Sequence, residues 1–239
     1  MYDGRASVKH MPKSARSFEK IIAELGRLYG PPASPAVTDP LGMILLENIA
    51  YLVSDEQRIQ AFSDLRERVG LSPPQILMAP QNKLIEVAKL GGMHPVARVE
   101  KLRLIAQIAL QEFEGDFDRV LKQPLGKAKK LLKKFPGIGD PGAEKILLFS
   151  RTQPLLALDS NGLRVLLRLG YGEESKSYST TYRSAQEAIR GEMKNDFDWL
   201  IAAHQLLRRH GQELCKNANP ICARCPLKSS CSYYNTHES

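Results

Sequence analysis

Residues 131–149 read LLKKFPGIGDPGAEKILLF. A helix ending in Phe135 meets the break Pro136-Gly137-Ile138-Gly139, and Asp140-Pro141 opens the next helix. The same helical grammar extends outward in both directions. Phe18, Ile21, Ile22, Leu25, Leu28 and Tyr29 fall on one helical face that stops at Gly30-Pro31-Pro32. Asp39-Pro40 reads as an N-cap followed by proline at the first helical position, opening a helix through Tyr51. Ser54-Asp55-Glu56 starts a helix that ends near Gly70, and Ser72-Pro73 starts a short one. Further helical segments are predicted at about 81–90, 95–113, 125–135, 140–151, 160–169, 180–193 and 197–210, with the polar stretch 171–181 as a loop. No stretch alternates apolar and polar residues long enough for a half-buried strand, so the predicted fold class is all-α.

The turn at 136–139 would let backbone N–H groups and the following helix N-terminus face one anion, although a purely structural turn has the same composition. Before it, Lys122, Lys127, Lys129, Lys130, Lys133 and Lys134 fall within thirteen residues that contain no acid. The whole chain carries a formal net charge of +8, which favours a polyanionic partner such as nucleic acid or an anionic membrane surface. Its 239 residues allow one large domain or two small ones, and 43% hydrophobic with 25% charged residues excludes a disordered or collagen-like chain. No apolar run reaches the ~18–20 residues of a membrane span. The N-terminus (MYDGRASVKHMPKSAR) lacks the apolar core of a signal peptide and reads as a basic arm over residues 1–15, so a cytoplasmic protein is expected.

All four cysteines lie near the C-terminus, as Cys215-x6-Cys222-x2-Cys225-x5-Cys231. Clustering in an otherwise cysteine-free chain points to metal rather than a disulfide scaffold. Four thiolates within 17 residues suit one tetrahedral zinc or a [4Fe–4S] cube, with plain thiols as the bland alternative.

At every interval this spacing resembles the iron–sulfur loop of the endonuclease III and adenine-mismatch DNA glycosylase family, and FPGIG resembles the helix-hairpin-helix of the same superfamily. The resemblance covers roughly residues 16–231. It implies a two-lobed fold: a helical barrel at 36–154 containing the hairpin, and an iron–sulfur domain made of 16–35 with 155–239, with DNA in the cleft between them. It also implies a [4Fe–4S] cluster on Cys215, Cys222, Cys225 and Cys231, whose four protein ligands leave no iron open for substrate; zinc is the alternative. Phosphates would be gripped by Gly137, Gly139, Lys133 and Lys134 at the hairpin, and by Lys216 and Arg224 on a loop made basic also by Lys228, Arg208 and Arg209.

The family places its essential aspartate about twenty residues beyond the hairpin, which here is Asp159 at a helix start; an N-cap role is compatible with that. Glutamine-lacking departures occur at Tyr51 and Leu52, where relatives have glutamines that enter the duplex, and Met93 and His94 match the loop near the extruded base, burial in the core being the alternative. Glu47, in a D-P-x6-E pattern from Asp39-Pro40, matches a glutamate of monofunctional relatives; its apolar sequence neighbours predict a desolvated carboxyl fit to protonate the departing base or manage water, against a plain surface charge. Bifunctional members carry a lysine nucleophile where this chain has Pro141, which has no amine for a Schiff base. The resemblance therefore implies a monofunctional glycosylase acting on duplex DNA with a damaged or mismatched base, as a monomer, in the cytoplasm or at the nucleoid of a bacterium or archaeon. Alternatives are a bifunctional enzyme using Lys145, one turn beyond Pro141, and a non-catalytic sensor of abasic or distorted DNA. The chain ends eight residues after Cys231, so the domain that reads 8-oxoguanine in adenine-mismatch relatives is not expected, which favours uracil, mismatched thymine or another damaged base.

Overall fold

Short polar residues set where the helices begin. In the computed structural model, which describes residues 16–237, Asp39, Ser54, Asp116, Asp159 and Asp196 each cap a helix by accepting the backbone N–H three residues on. The helices are α1 (Phe18–Tyr29), α2 (Pro40–Ile49), α3 (Asp55–Arg68), α4 (Pro73–Met78), α5 (Gln81–Leu90), α6 (Pro95–Gln111) and α7 (Phe117–Leu121). They continue as α8 (Leu125–Leu132), α9 (Asp140–Phe149), α10 (Ser160–Arg168), α11 (Tyr178–Ile189), α12 (Phe197–Glu213) and α13 (Ser232–His237). No strand occurs among the described residues, in agreement with the all-α expectation. The arm assigned to residues 1–15 lies outside the described residues.

Several boundaries differ from the periodic reading. Ala50 turns extended and ends α2 at Ile49, so Tyr51, expected at the end of the helix, falls with Leu52 in a loop. Helix α8 ends at Leu132, because Lys133–Phe135 already belong to the hairpin turn. Helix α11 starts at Tyr178, inside the stretch read as loop, and ends at Ile189. Helix α12 runs on through Gly211 to Glu213, past the expected end at 210. The short helices α7 and α13 were too brief for periodicity to reveal.

By its internal contacts the chain divides into two units, Pro35–Gln153 and the flanking segments up to Ser34 and from Pro154. In the first, Ile44, Leu45 and Ile49 of α2 are fully buried in a core shared with α3, α6 and α9. Phe113, Phe117 and Phe135 stack at 4.8–5.8 Å between centroids and fix the end of the hairpin's first helix. Helix α5 closes at Gly91, where a Cβ would stand 1.8 Å from the Ile49 carbonyl oxygen. Gly91→Ala is therefore expected to destabilise the protein by roughly 2 kcal/mol through overpacking; an unchanged thermal midpoint would contradict that close approach.

In the other unit, Phe18 meets Tyr171 and Trp199 edge-on at 6.0 and 5.7 Å, and α1 and α10 pack on α12. Gly211 explains the length of α12. A Cβ there would lie 2.7 Å from Asn161 Cβ, so the glycine lets α12 press against the first turn of α10.

Candidate active site

Asp159 caps α10 from a pinned backbone. Gln186 Nε2 donates to Leu156 O (2.8 Å), His204 Nδ1 to Ala157 O (2.8 Å), and Leu158 N to the Tyr182 hydroxyl (3.3 Å). Asp159 Oδ1 accepts from Gly162 N at 2.7 Å, while Oδ2 accepts from Asn161 Nδ2 at 3.1 Å and lies 3.3 Å from Arg208 Nε. The result is an anion held in one orientation by a helix N-terminus, an amide and a guanidinium. Tyr178, stacked on Tyr182, shares this corner: burial and the Asp159 charge push its phenol above the usual range. Asn161, Tyr182 and His204 were missed by sequence reasoning. Arg208, expected to face phosphates, contacts Asp159 instead, and Arg209 lies over the Tyr29 ring and bonds Glu213 at 2.7 Å.

From Asp159 a hydrogen-bond path leads to the cysteine loop. Arg164 Nη2 donates to Asn161 Oδ1 (2.8 Å) and Gly211 O (2.7 Å), and its Nε donates to Cys215 O (2.9 Å). Arg168, at the other end of α10, donates to Lys216 O (2.7 Å), Asn217 O (3.1 Å) and Cys215 Sγ (3.4 Å). The four cysteines line one cavity with His210, whose Nε2 lies 3.5 Å from Cys225 Sγ and whose Nδ1 lies 3.0 Å from the Tyr29 hydroxyl. Burial pushes the His210 imidazole down to about 4 and the Cys225 thiol up to about 12; the Cys231 thiol is raised too, again by burial. Among the described residues no three His, Cys, Asp or Glu groups are gathered closely enough for a single ion, so the sulfurs border a cavity rather than converge on a point. Lys216, Arg224 and Lys228 are exposed on this loop, where they were expected to serve phosphates.

The hairpin belongs to the unit 35–153. Gly137 adopts φ +73°, which favours glycine, and Gly139 caps α9. Asn48, buried beside Glu47, braces the turn by donating to Pro136 O at 2.9 Å and Ile44 O at 3.0 Å; it carried no sequence signal. The lysine run is less free than its acid-free sequence implied. Lys133 bonds Asp140 at 3.1 Å, Lys134 bonds Glu112 at 2.5 Å, and Lys129 bridges Glu144 and Asp140 at 2.5 and 3.2 Å. Burial favours a proton on Asp140, but hydrogen bonds from Lys133 and Lys129 outweigh it and hold the carboxyl below its usual range. An acid therefore sits at the mouth of the hairpin turn, while Lys127 and Lys130 stay exposed.

Glu47 also departs from expectation. It is not wrapped by Ile44 and Leu45, which point into the core. Its side chain is 38% exposed, accepts from Lys145 Nζ at 3.0 Å and lies 3.8 Å from Arg58 Nη1. Pro141 is the second residue of α9, leaving Lys145 as the amine brought to Glu47.

Tyr51, Leu52 and Met93 are 67, 73 and 63% exposed, which excludes the core alternative for Met93. His94 is exposed as well. The two loops lie side by side, with Tyr51 N donating to Gly91 O at 3.0 Å, and both Leu52 and His94 adopt left-handed backbone, φ +55° and +59°. These exposed side chains thus form one group in this unit, whereas Asp159 and the cysteines belong to the other.

No family model matches the chain. Endonuclease III of Sulfolobus acidocaldarius is 30% identical over 192 residues, covering 80% of this chain and 81% of that protein. A solved endonuclease III–DNA trapped covalent intermediate superimposes with a TM-score of 0.72 at 17% identity, over 91% of this chain and 95% of that one. A thermostable thymine-DNA glycosylase gives 0.73 at 16% identity, over 91% and 96%.

Proposed function

Because the chain belongs to the helix-hairpin-helix (HhH-GPD) DNA glycosylase superfamily and is a DNA glycosylase of base excision repair, we propose that it is monofunctional, hydrolysing the N-glycosidic bond of a damaged or mismatched base flipped from duplex DNA. One observation carries this reading. The first turn of α9 holds Pro141, and the nearby amine, Lys145, is tied to Glu47 at 3.0 Å. A Schiff base needs a neutral amine with a free lone pair, which an ammonium in an ion pair lacks.

In this reading the backbone of the hairpin turn and the exposed Lys127, Lys130, Lys216 and Arg224 contact phosphates. Tyr51 and Leu52, with Met93 and His94 beside them, enter the duplex where the nucleotide leaves the stack. Asp159, fixed beneath the sugar, stabilises the positive charge that grows at C1′ and orients or deprotonates water. Glu47 acts as a carboxylate that sets the position of Lys145. The four cysteines fit a [4Fe–4S] cluster: they share one cavity, and His210 Nε2 and Arg168 Nη1 lie 3.5 and 3.4 Å from two of the sulfurs. Cys215, Cys222, Cys225 and Cys231 would hold such a cluster, which would brace the loop rather than react with substrate. Burial favours the protonated thiol at Cys225 and Cys231, so taking up a metal group there would release protons.

Borohydride reduction during turnover distinguishes the two chemistries. The expected result is base release with no covalent protein–DNA adduct, and strand breaks only after alkali. An adduct that vanishes in Lys145→Ala would establish a lyase.

A further inference from the structure

Three side chains from three helices meet at Glu47 Oε2: Glu47 from α2, Arg58 from α3 and Lys145 from α9. A general acid would ask for a dry pocket and a carboxyl that keeps its proton. This cluster instead carries two cations for one anion, and its side chains are 26–38% exposed. Arg58 is beyond hydrogen-bond distance of Glu47, and its buried Nε has no hydrogen-bond partner, so its donors are not spent on the carboxylate. We propose that Lys145 and Arg58, held in place by Glu47, form the site of the departing base and stabilise the negative charge of a pyrimidine 2,4-dione as it leaves.

The proposal rests on the glycosylase reading and narrows its substrate. When the C1′–N1 bond breaks, its electron pair passes to the base and spreads onto the two exocyclic oxygens at C2 and C4, while C1′ becomes an oxocarbenium centre that takes the oxygen of water. The proton lost by that water leaves to solvent, and the base anion takes a proton from solvent. A neutral base and an abasic hydroxyl result. Fixed positive charge lowers this barrier without moving a proton, because it interacts more strongly with the departing anion than with the neutral bound base. A purine, by contrast, departs most readily after a ring nitrogen has been protonated, and two adjacent cations oppose that protonation. The cluster thus selects for bases that leave as anions.

The test varies the leaving group. Single-turnover release of uracil and of the more N1-acidic 5-fluorouracil, each opposite guanine, is measured for the wild-type holoprotein, Lys145→Met and Lys145→Arg. Lys145→Met is expected to slow uracil release about thirtyfold and 5-fluorouracil release several-fold less, since a better leaving group needs less help; Lys145→Arg, which keeps the charge, should recover most of the rate. Equal losses on both substrates, or failure of arginine to rescue, would assign Lys145 a structural role and overturn the proposal. Should Lys145→Met not fold, as judged by thermal melting, Arg58→Gln serves the same comparison. A wild-type protein that releases adenine but neither pyrimidine refutes the proposal while leaving the glycosylase reading intact; no release of any base refutes that reading itself.

Discussion

Asp159→Asn is expected to cut single-turnover base release about a thousandfold, within the range associated with a positioned acid–base group, while leaving the fold in place. Asparagine caps helices as well as aspartate. The bond from Gly162 N at 2.7 Å can therefore persist, with the start of α10 and its packing on Gly211 undisturbed. What disappears is the negative charge beside Asn161 and Arg208. That charge does its work only as C1′ turns cationic, so binding of an abasic-site duplex should change far less than the rate. Thermal melting and a DNA-binding isotherm accompany the kinetics. A variant within tenfold of wild type would remove Asp159 from the chemistry.

Arg164→Met should be the most damaging single change outside the reacting groups. Methionine keeps much of the stem's packing but strands Asn161 Oδ1, Gly211 O and Cys215 O, which lie 2.7–2.9 Å from the guanidinium nitrogens. Losing a charged donor from several partly buried acceptors costs about 3 kcal/mol, or roughly 6–12 °C in melting midpoint for a chain of this size. Asn161 would also lose the brace that turns its amide to Asp159, so the rate per folded, fully loaded molecule should fall about tenfold. Lysine, which lacks the planar fork, should not restore it. Lost stability with an unchanged rate per loaded molecule would confine Arg164 to folding.

Helix starts were legible locally. Asp39, Ser54 and Asp159 announced their helices because a capping side chain bonds its own backbone three residues on, and the cysteine intervals are themselves a local signature. What failed depended on partners far along the chain. Ile44 and Leu45 flank Glu47 in sequence, yet a helix turns successive side chains to different faces; they face the core while Glu47 meets Lys145, 98 residues away. The lysines at 122–134 have no acid among them, but Glu112, Asp140 and Glu144 reach them from neighbouring elements. Gly211 is a poor helix former, yet α12 carries it because its absent side chain is what α10 needs from α12. Asn161 and Arg164 sit at helical spacing after Asp159, a pattern visible in the sequence, but the carbonyls that Arg164 reaches, on Gly211 and Cys215, lie about fifty residues on.

Helix α10 begins at the residue capped by Asp159 and ends at Arg168, beside Cys215 Sγ. Each residue of an α-helix advances its side chain by about 100°. A single insertion or deletion within those nine steps would swing Arg168 off the sulfur and Arg164 off its carbonyls while the acid stayed where it was. This stretch should consequently tolerate exchanges at its outward-facing positions but no change of length, and a shift in reading register would part the cysteine loop from Asp159 in one stroke.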